Sequence, residues 1–565
     1  MRFPQGWSMP RGLAFVLVAS LAACGDTDSA GPPSPEATAG TEDSGWFVES
    51  AQQNGLDFTW QSGHETKFYF PEIIGGGGAL LDADADGDLD VYMVQGGSVL
   101  NTPAQQPGNQ LFLNDGSGHF RDASEGSGAQ DKGYGMGAAV GDFDGDGLED
   151  LLVTNLGRNT LLRNEGAGRF SDVTVASGLL DEDWSSSAAF LDYDRDGDLD
   201  LFVVNYVEWS AATELSCESK PFPYDYCSPK SYAAPARDKF YRNEGGHFVD
   251  ATLELGLDAA FGNGLGIVVA DFDKDGFADV FVANDGVPNQ IWMNNQGQGF
   301  VDGAVRMGCA VDQDGLVKAG MGTHAIDADD DGDEDLLVVN LNGEPDSFFR
   351  NEGTRFSDRT QITGLGAVSR SFTRFGMGFA DFDQDGLVDL YQANGRVIRD
   401  PSHTGETPFA QENLVLQGTA ELRFAELLPR GGVSAPLSDT SRAALFGDLN
   451  GDGAVDLVVI NRDSPAYLLI NKAARGNWVL FDVREAGGRV ALGAEVSAAL
   501  GERNVYRYVR SAYSYCAAND SRVHLGLGEE ARIESVEVLW ADGERESFGG
   551  FDAGQVVRLQ RGSGN

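Results

Sequence analysis

FGNGLGIVVADFDKDGFADVFV, residues 261–282, joins a glycine-spaced apolar run to an acidic loop and then to a short β-branched strand. The loop, D-x-[D/N]-x-D-G-x-x-D, recurs seven times between Asp82 and Asp456. DADADGDLD supplies Asp82, Asp84, Asp86 and Asp90; DFDGDGLED supplies Asp142, Asp144, Asp146 and Asp150. DYDRDGDLD supplies Asp192, Asp194, Asp196 and Asp200; DFDKDGFAD supplies Asp271, Asp273, Asp275 and Asp279. DADDDGDED supplies Asp327, Asp329, Asp331 and Asp335; DFDQDGLVD supplies Asp381, Asp383, Asp385 and Asp389. The last copy, DLNGDGAVD, has Asp448, Asn450, Asp452 and Asp456 and is one charge poorer. Carboxylates drawn around one point repel one another and need a cation. Hard oxygen donors without His or Cys select Ca²⁺ over zinc or copper, so the pattern predicts about seven Ca²⁺ sites.

Glycine at the sixth position permits the reversal that turns the seventh carbonyl inward. An EF-hand loop begins in the same way but closes with a bidentate Glu at position twelve. Here position twelve is Met93, Val153, Val203, Val282, Val338, Gln392 or Val459, so the ninth-position Asp must close the site. The runs that follow, such as DVYMV, DLFVV and DVFVA, suit buried strands and place the loops at strand–strand turns.

The copies begin between 50 and 79 residues apart, which is a repeat architecture. Five carry a second phrase after the strand: NDGSGHFRD from Asn114, NEGAGRFSD from Asn164, NEGGHFVD from Asn243, NNQGQGFVD from Asn294 and NEGTRFSD from Asn351. Asn-Gly turns between apolar runs read as hairpins, which makes each unit about four short strands. The expected fold is all-β, a seven-bladed β-propeller with a small β domain behind it.

The string at residues 261–282 and FGMGFADFDQDGLVDLY from Phe375 resemble the FG-GAP or VCBS repeats of integrin-α-type propellers, over residues 46–471. In residues 472–565, RGNWVLFDVRE, LGAEVSAAL, VRSAYSYCAANDSRVHLGLG and VEVLWADG resemble the ASPIC/UnbV domain of the cartilage acidic protein family. Alternating Val536, Val538 and Trp540 and the Asp542-Gly543 turn give the same small β domain. The resemblance implies an extracytoplasmic calcium-binding protein with no defined reaction.

Residues 1–23 read as a signal peptide: Arg2 and Arg11 precede LAFVLVA, too short to span a bilayer. Leu21-Ala22-Ala23-Cys24 resembles a lipobox, which would make Cys24 the lipidated N-terminus. Residues 24–45, rich in Pro, Gly, Ser and acid, read as a flexible tether. The expected location is extracytoplasmic, at the outer membrane or cell surface of a bacterial envelope, with the lipid as the sole membrane contact. Forty Lys plus Arg against 88 Asp plus Glu give −48, which excludes nucleic acid as a partner class. Seven Ca²⁺ would add 14 charges and leave −34.

Cys217 and Cys227 lie ten apart in the longest interval between loops, and an oxidising compartment favours a disulfide between them. Cys309 and Cys516 either pair or remain two buried thiols. The stretch around Cys217 also carries Trp209, Phe222, Tyr224 and Tyr226, a candidate ligand platform whose rings could equally pack beneath their own loop. Nucleophile elbows, zinc-binding helices and phosphate loops are missing from the sequence. A binding role toward an envelope or extracellular protein or glycan is therefore expected before catalysis. The alternative is a calcium-dependent carbohydrate-active enzyme, a lyase or hydrolase, with a base drawn from His64, His403 or an inserted loop.

Overall fold

The structure, a computed structural model, describes residues 45–402, 407–473 and 475–565, which fall within one unit of the chain. The signal segment, Cys24, most of the tether and His403 lie outside the described residues.

Each acidic loop is the turn of a hairpin. Gly264–Ala270 enters the loop and Asp279–Asn284 leaves it, with Ala270 opposite Asp279. Gln290–Asn294 and Phe300–Asp302 then complete a four-stranded antiparallel sheet. Seven sheets of this plan occur among the described residues. Their first strands are Gly78–Leu81, Tyr134–Gly141, Ser185–Leu191, Gly264–Ala270, Thr323–Ile326, Arg374–Ala380 and Ser441–Gly447. Each packs on the next and the last packs on the first, so the sheets form the closed ring of a β-propeller. The seventh sheet borrows its outer strand from the other end of the chain. Phe47–Glu49 pairs antiparallel with Tyr467–Asn471, which closes the ring by backbone hydrogen bonds.

The residue types follow from position in this ring. Second strands lie between two neighbouring sheets and are buried on both faces, hence the continuous Val280-Phe281-Val282. First strands converge on a crowded axis, hence their small residues. A Cβ on Gly137 would stand 2.8 Å from the carbonyl oxygen of Cys516.

From Asn477 onward the chain forms two further sheets. One orders Val523–Gly528, Asn477–Arg484 and Gln555–Gln560; the other orders Arg503–Tyr508, Glu495–Leu500, Arg532–Leu539 and Arg545–Asp552. They enclose their own core, with Phe481, Ile533, Val538 and Trp540. The tail is not a separate appendage, however. Between its third and next strands the segment 509–520 leaves the domain and fills the propeller axis. Ser514 exchanges backbone hydrogen bonds with Thr323 (2.8 and 3.0 Å), and its hydroxyl donates to Ala444 O at 2.9 Å while accepting from Met377 N. Ala517–Ala518 adds in parallel to Gly78–Leu81, and the Tyr515 hydroxyl reaches Ile74 O at 2.7 Å. Five of the seven first strands are touched by these contacts and that of Ser511 Oγ to Val140 O.

Candidate metal centres

All seven acidic loops share one backbone. Positions four and six are left-handed, with φ of 58–73° at Ala85, Gly145, Arg195, Lys274, Asp330, Gln384 and Gly451. The sixth-position glycines have φ of 81–98°, a region that excludes Cβ-bearing residues more strongly. The first-position Asp accepts the N–H of that glycine in every loop, at 2.8–3.1 Å. The ninth-position Asp accepts two backbone N–H groups. One comes from position two and the other from the end of the third strand, the latter at 2.7–2.8 Å. These bonds aim the carboxylates at a common point while leaving lone pairs free on each.

The ligand atoms are close. One oxygen each from Asp82, Asp84 and Asp90 lies within 4.8 Å of the others, as do those of Asp192, Asp194 and Asp200 and those of Asp271, Asp273 and Asp279. Asp142, Asp144 and Asp146, and Asp327, Asp329 and Asp331, form equivalent groups. Burial pushes the ninth-position carboxyls upward: Asp90, Asp150 and Asp200 to about 8, Asp335 and Asp389 to about 9. The neighbouring loop aspartates raise them further, against the pull of the backbone N–H donors. Meanwhile Asp84 Oδ1, Asp192 Oδ1, Asp329 Oδ1 and Asp383 Oδ1 are buried without a hydrogen-bond donor. Buried, unpaired carboxylate oxygens converging with other carboxylates fit a hard divalent cation. The loops are not equivalent. In the seventh, Arg475 sits 2.9 Å from Asp452 and Asn450 replaces a carboxylate; in the fifth, Arg350 spans Asp329 and Asp331.

One recurrent residue escaped the sequence reading. The Asn that opens each hairpin phrase also donates its side-chain amide to the second-position carbonyl of the preceding sheet's loop. Asn243 reaches Phe143 O at 2.7 Å, Asn294 reaches Tyr193 O at 2.8 Å and Asn351 reaches Phe272 O at 2.9 Å. Asn114, Asn164 and Asn471 do the same toward Leu449, Ala83 and Phe382. The sixth sheet has Gly418 at this place and lacks the amide bridge. Its signal was the repeated first letter of the phrase.

The tail lies against the same loops. Arg489 donates to Gly197 O at 2.8 Å, Arg503 to Gly386 O at 3.0 Å and to Asp330, and Arg507 to Asp327 O at 3.0 Å. Lys274, at position four of its loop, pairs with Glu495 at 2.9 Å. His524 meets Gly453 O at 3.0 Å.

The insertion after the third loop departs from a four-ring platform. Cys217 and Cys227 form a disulfide that closes the hairpin Cys217–Ser219 and Phe222–Asp225. Tyr226 is 4% exposed; its hydroxyl donates to Glu72 and accepts from Arg462, so it cannot meet a ligand. Trp209 is half-buried against Trp184 and donates to Glu214 at 2.9 Å. Phe222 is half-buried under the Arg399 guanidinium, 4.0 Å away. Tyr224 alone of the four stands in solvent, 63% exposed. The insertion crosses the propeller face, and burying aromatic area there outweighs presenting it. Cys309 and Cys516 are separate buried thiols, one in the core of the fourth and fifth sheets, the other on the axis. His324 is buried and stacks on Tyr513 at 3.9 Å, a core role.

Residues 82–153, 142–203 and 327–391 match the model of an FG-GAP-like repeat, and residues 484–565 match that of ASPIC and UnbV. Cartilage acidic protein 1 of Xenopus tropicalis is 28% identical over 306 residues, 52% of this chain and 44% of that protein. Its Homo sapiens counterpart is 25% identical over 303 residues, 53% of this chain and 44% of that protein. The chain thus matches less than half the length of these relatives. Sqt1 of Saccharomyces cerevisiae is similar at a TM-score of 0.39 and 10% identity, over 71% of this chain and 96% of that one, too low to carry any argument. The chain thus carries FG-GAP-like repeats and a C-terminal ASPIC/UnbV domain, and over part of its length it is similar to cartilage acidic protein 1.

Proposed function

We propose that this protein is a calcium-loaded interaction module of the cell envelope, tethered by lipid at Cys24, that binds an extracellular or envelope protein or glycan. FG-GAP-like repeats with an ASPIC/UnbV domain support an extracellular-type interaction module. The observation that carries the metal reading is the set of buried donorless oxygens at Asp84, Asp192, Asp329 and Asp383. The ions would hold hairpin turns and, through the turns, the tail; the chemistry they supply is charge neutralisation. The disulfide supports an oxidising compartment.

Metal content after exhaustive dialysis against trace calcium tests the reading. Several calcium ions per chain, with loop seven the first to empty, are expected; no bound calcium would overturn it. Metabolic labelling with an alkyne fatty acid tests the anchor: the wild type should be tagged and Cys24→Ala should not.

One observation keeps a catalytic reading in view. His64, 26% exposed, is held through Nδ1 by the buried Glu72 at 2.7 Å, which leaves Nε2 available as a base. Product analysis on bound polysaccharides, comparing wild type with His64→Gln, decides between binding and turnover.

A further inference from the structure

The insertion hides most of its aromatic surface. Tyr206 and Tyr226 are buried, and Trp209, Phe222 and Tyr232 are half-buried. Against that background, Tyr224 at 63% and Leu215 at 39% exposure are left beside a cavity of about 190 Å³. Thr66, Lys67 and Phe68 form one wall; Leu215, Ser216, Tyr224 and Asp225 form the other.

Three distant segments brace these walls. The disulfide closes the hairpin, and Arg399 clamps it from the sixth sheet's long connection. Its backbone N–H donates to Asp225 at 3.2 Å, its side chain to Tyr224 O, and its guanidinium lies 4.0 Å from the Phe222 ring and 4.9 Å from that of Phe68. Glu214, beside Leu215, ties this wall to the segment that follows Phe68, accepting from Phe70 N at 2.8 Å, and to the rest of the insertion, accepting from Trp209 Nε1 at 2.9 Å and Tyr232 OH at 2.6 Å. Phe68 is backed by Tyr226, edge-on at 4.9 Å, and by the His64 ring at 4.6 Å. The cleft is therefore preformed, and a ligand would not have to order it.

We infer that this cleft is a subsite for one ring of a neutral saccharide, an inference that rests on the proposed binding role. Size and chemistry point the same way. The cavity admits a single pyranose and is smaller than a drug-sized pocket. Exposed Tyr224 and apolar Leu215 and Phe68 suit the C–H face of a sugar ring, while Thr66, Ser216 and Lys67 offer it hydroxyl-seeking groups; the Asp225 carboxylate is buried and held by Arg399 and Tyr226 N, and only closes the wall. Charge selects within the class. Arg399 is paired with Asp225 at 3.6 Å and the Lys67 ammonium lies 4.6 Å from the centre of the Tyr69 ring, so both cations at the rim are already engaged, in a protein of net charge −48. Polyanionic glycans are repelled over a screening length, and neutral ones are not.

Saturation-transfer NMR on the full calcium-saturated chain tests this, with cellotriose, chitotriose and trigalacturonate as probes. At least one neutral trisaccharide should show transfer, weakened about tenfold by Tyr224→Ala and largely kept by Tyr224→Phe. Ser216→Trp, which fills the cavity, should abolish it with an unchanged melting temperature. Transfer to neither neutral probe, transfer insensitive to both substitutions, or a preference for trigalacturonate would overturn the inference. The calcium count under Proposed function is a separate readout: failure of the sugar test with calcium still bound removes the subsite and leaves the module.

Discussion

Asn243 joins two sheets with one side chain. Its backbone N–H donates to Asp200, and its amide donates to Leu199 O at 3.0 Å within its own sheet and to Phe143 O in the sheet before. Asn243→Ala leaves two buried carbonyls without a donor, at about 1–3 kcal/mol each in the worst case. Urea unfolding in calcium should show a loss of about 2 kcal/mol, clearly above the change for an exposed hairpin residue such as Glu244→Ala. A loss within error of zero would mean that water replaces the bridge. Within the metal loops, Asp192→Ala should weaken calcium binding more than Asn450→Ala, since it removes a charged ligand that also accepts the Gly197 N–H. Titration calorimetry of the two variants checks the order. The repeated Asn was visible in the sequence as a turn signal, yet its bridging role was not. Its partner Phe143 lies 100 residues earlier, and no local pattern encodes that contact.

Strands and acidic hairpins were legible because each is short-range: alternation, β-branching and glycine at a fixed offset specify them locally. The segment 509–520 was not legible. In the sequence it stands only as part of the ASPIC/UnbV-like tail, and the narrowness of an axis lined by Gly77, Gly137 and Gly322 explains its small residues. Tyr226 was misplaced for a related reason, since an aromatic buried between Glu72 and Arg462 has the same letter as one that meets a ligand. The axial segment makes Cys516 a reporter. In calcium both Cys516 and Cys309 should resist iodoacetamide, being buried. Gly137→Val, which drives a side chain into the Cys516 backbone, should expose Cys516 to alkylation while Cys309 stays protected in the fourth and fifth sheets. Equal reactivity of the two thiols would show that the segment does not open on its own.

Two histidines at this junction give the fold a pH dependence. Burial pushes His524 down to about 4 and holds His324 well below the ordinary range, with Arg507 and Arg510 adding repulsion at His324. Below about 6.5 the unfolded chain takes up protons that the folded chain refuses, so stability falls as pH drops from 6.5 toward 4. Calcium-saturated protein should lose up to about 1.4 kcal/mol per pH unit per histidine across that window. His524→Asn should flatten the slope; an unchanged slope would remove that residue from the account.

At the scale of the whole molecule, charge and architecture become one problem. Seven loops gather 27 of the aspartates of a chain of net charge −48 on one face of the ring, and the tail is held there by Arg489, Arg503 and Arg507. Without metal, the raised ninth-position carboxyls take up protons in place of cations, so the bare protein should be more stable at pH 5 than at pH 8. With metal the order reverses, because ionised carboxylates bind calcium and a folded-state ligand stabilises by mass action. The melting temperature of the full chain at pH 8 in millimolar calcium, in magnesium and in excess EDTA tests the central claim most directly. The account predicts a fall of ten degrees or more, on the order of several kcal/mol, on chelation, restored by calcium and poorly by magnesium. Superimposable melting curves in calcium and EDTA would contradict it.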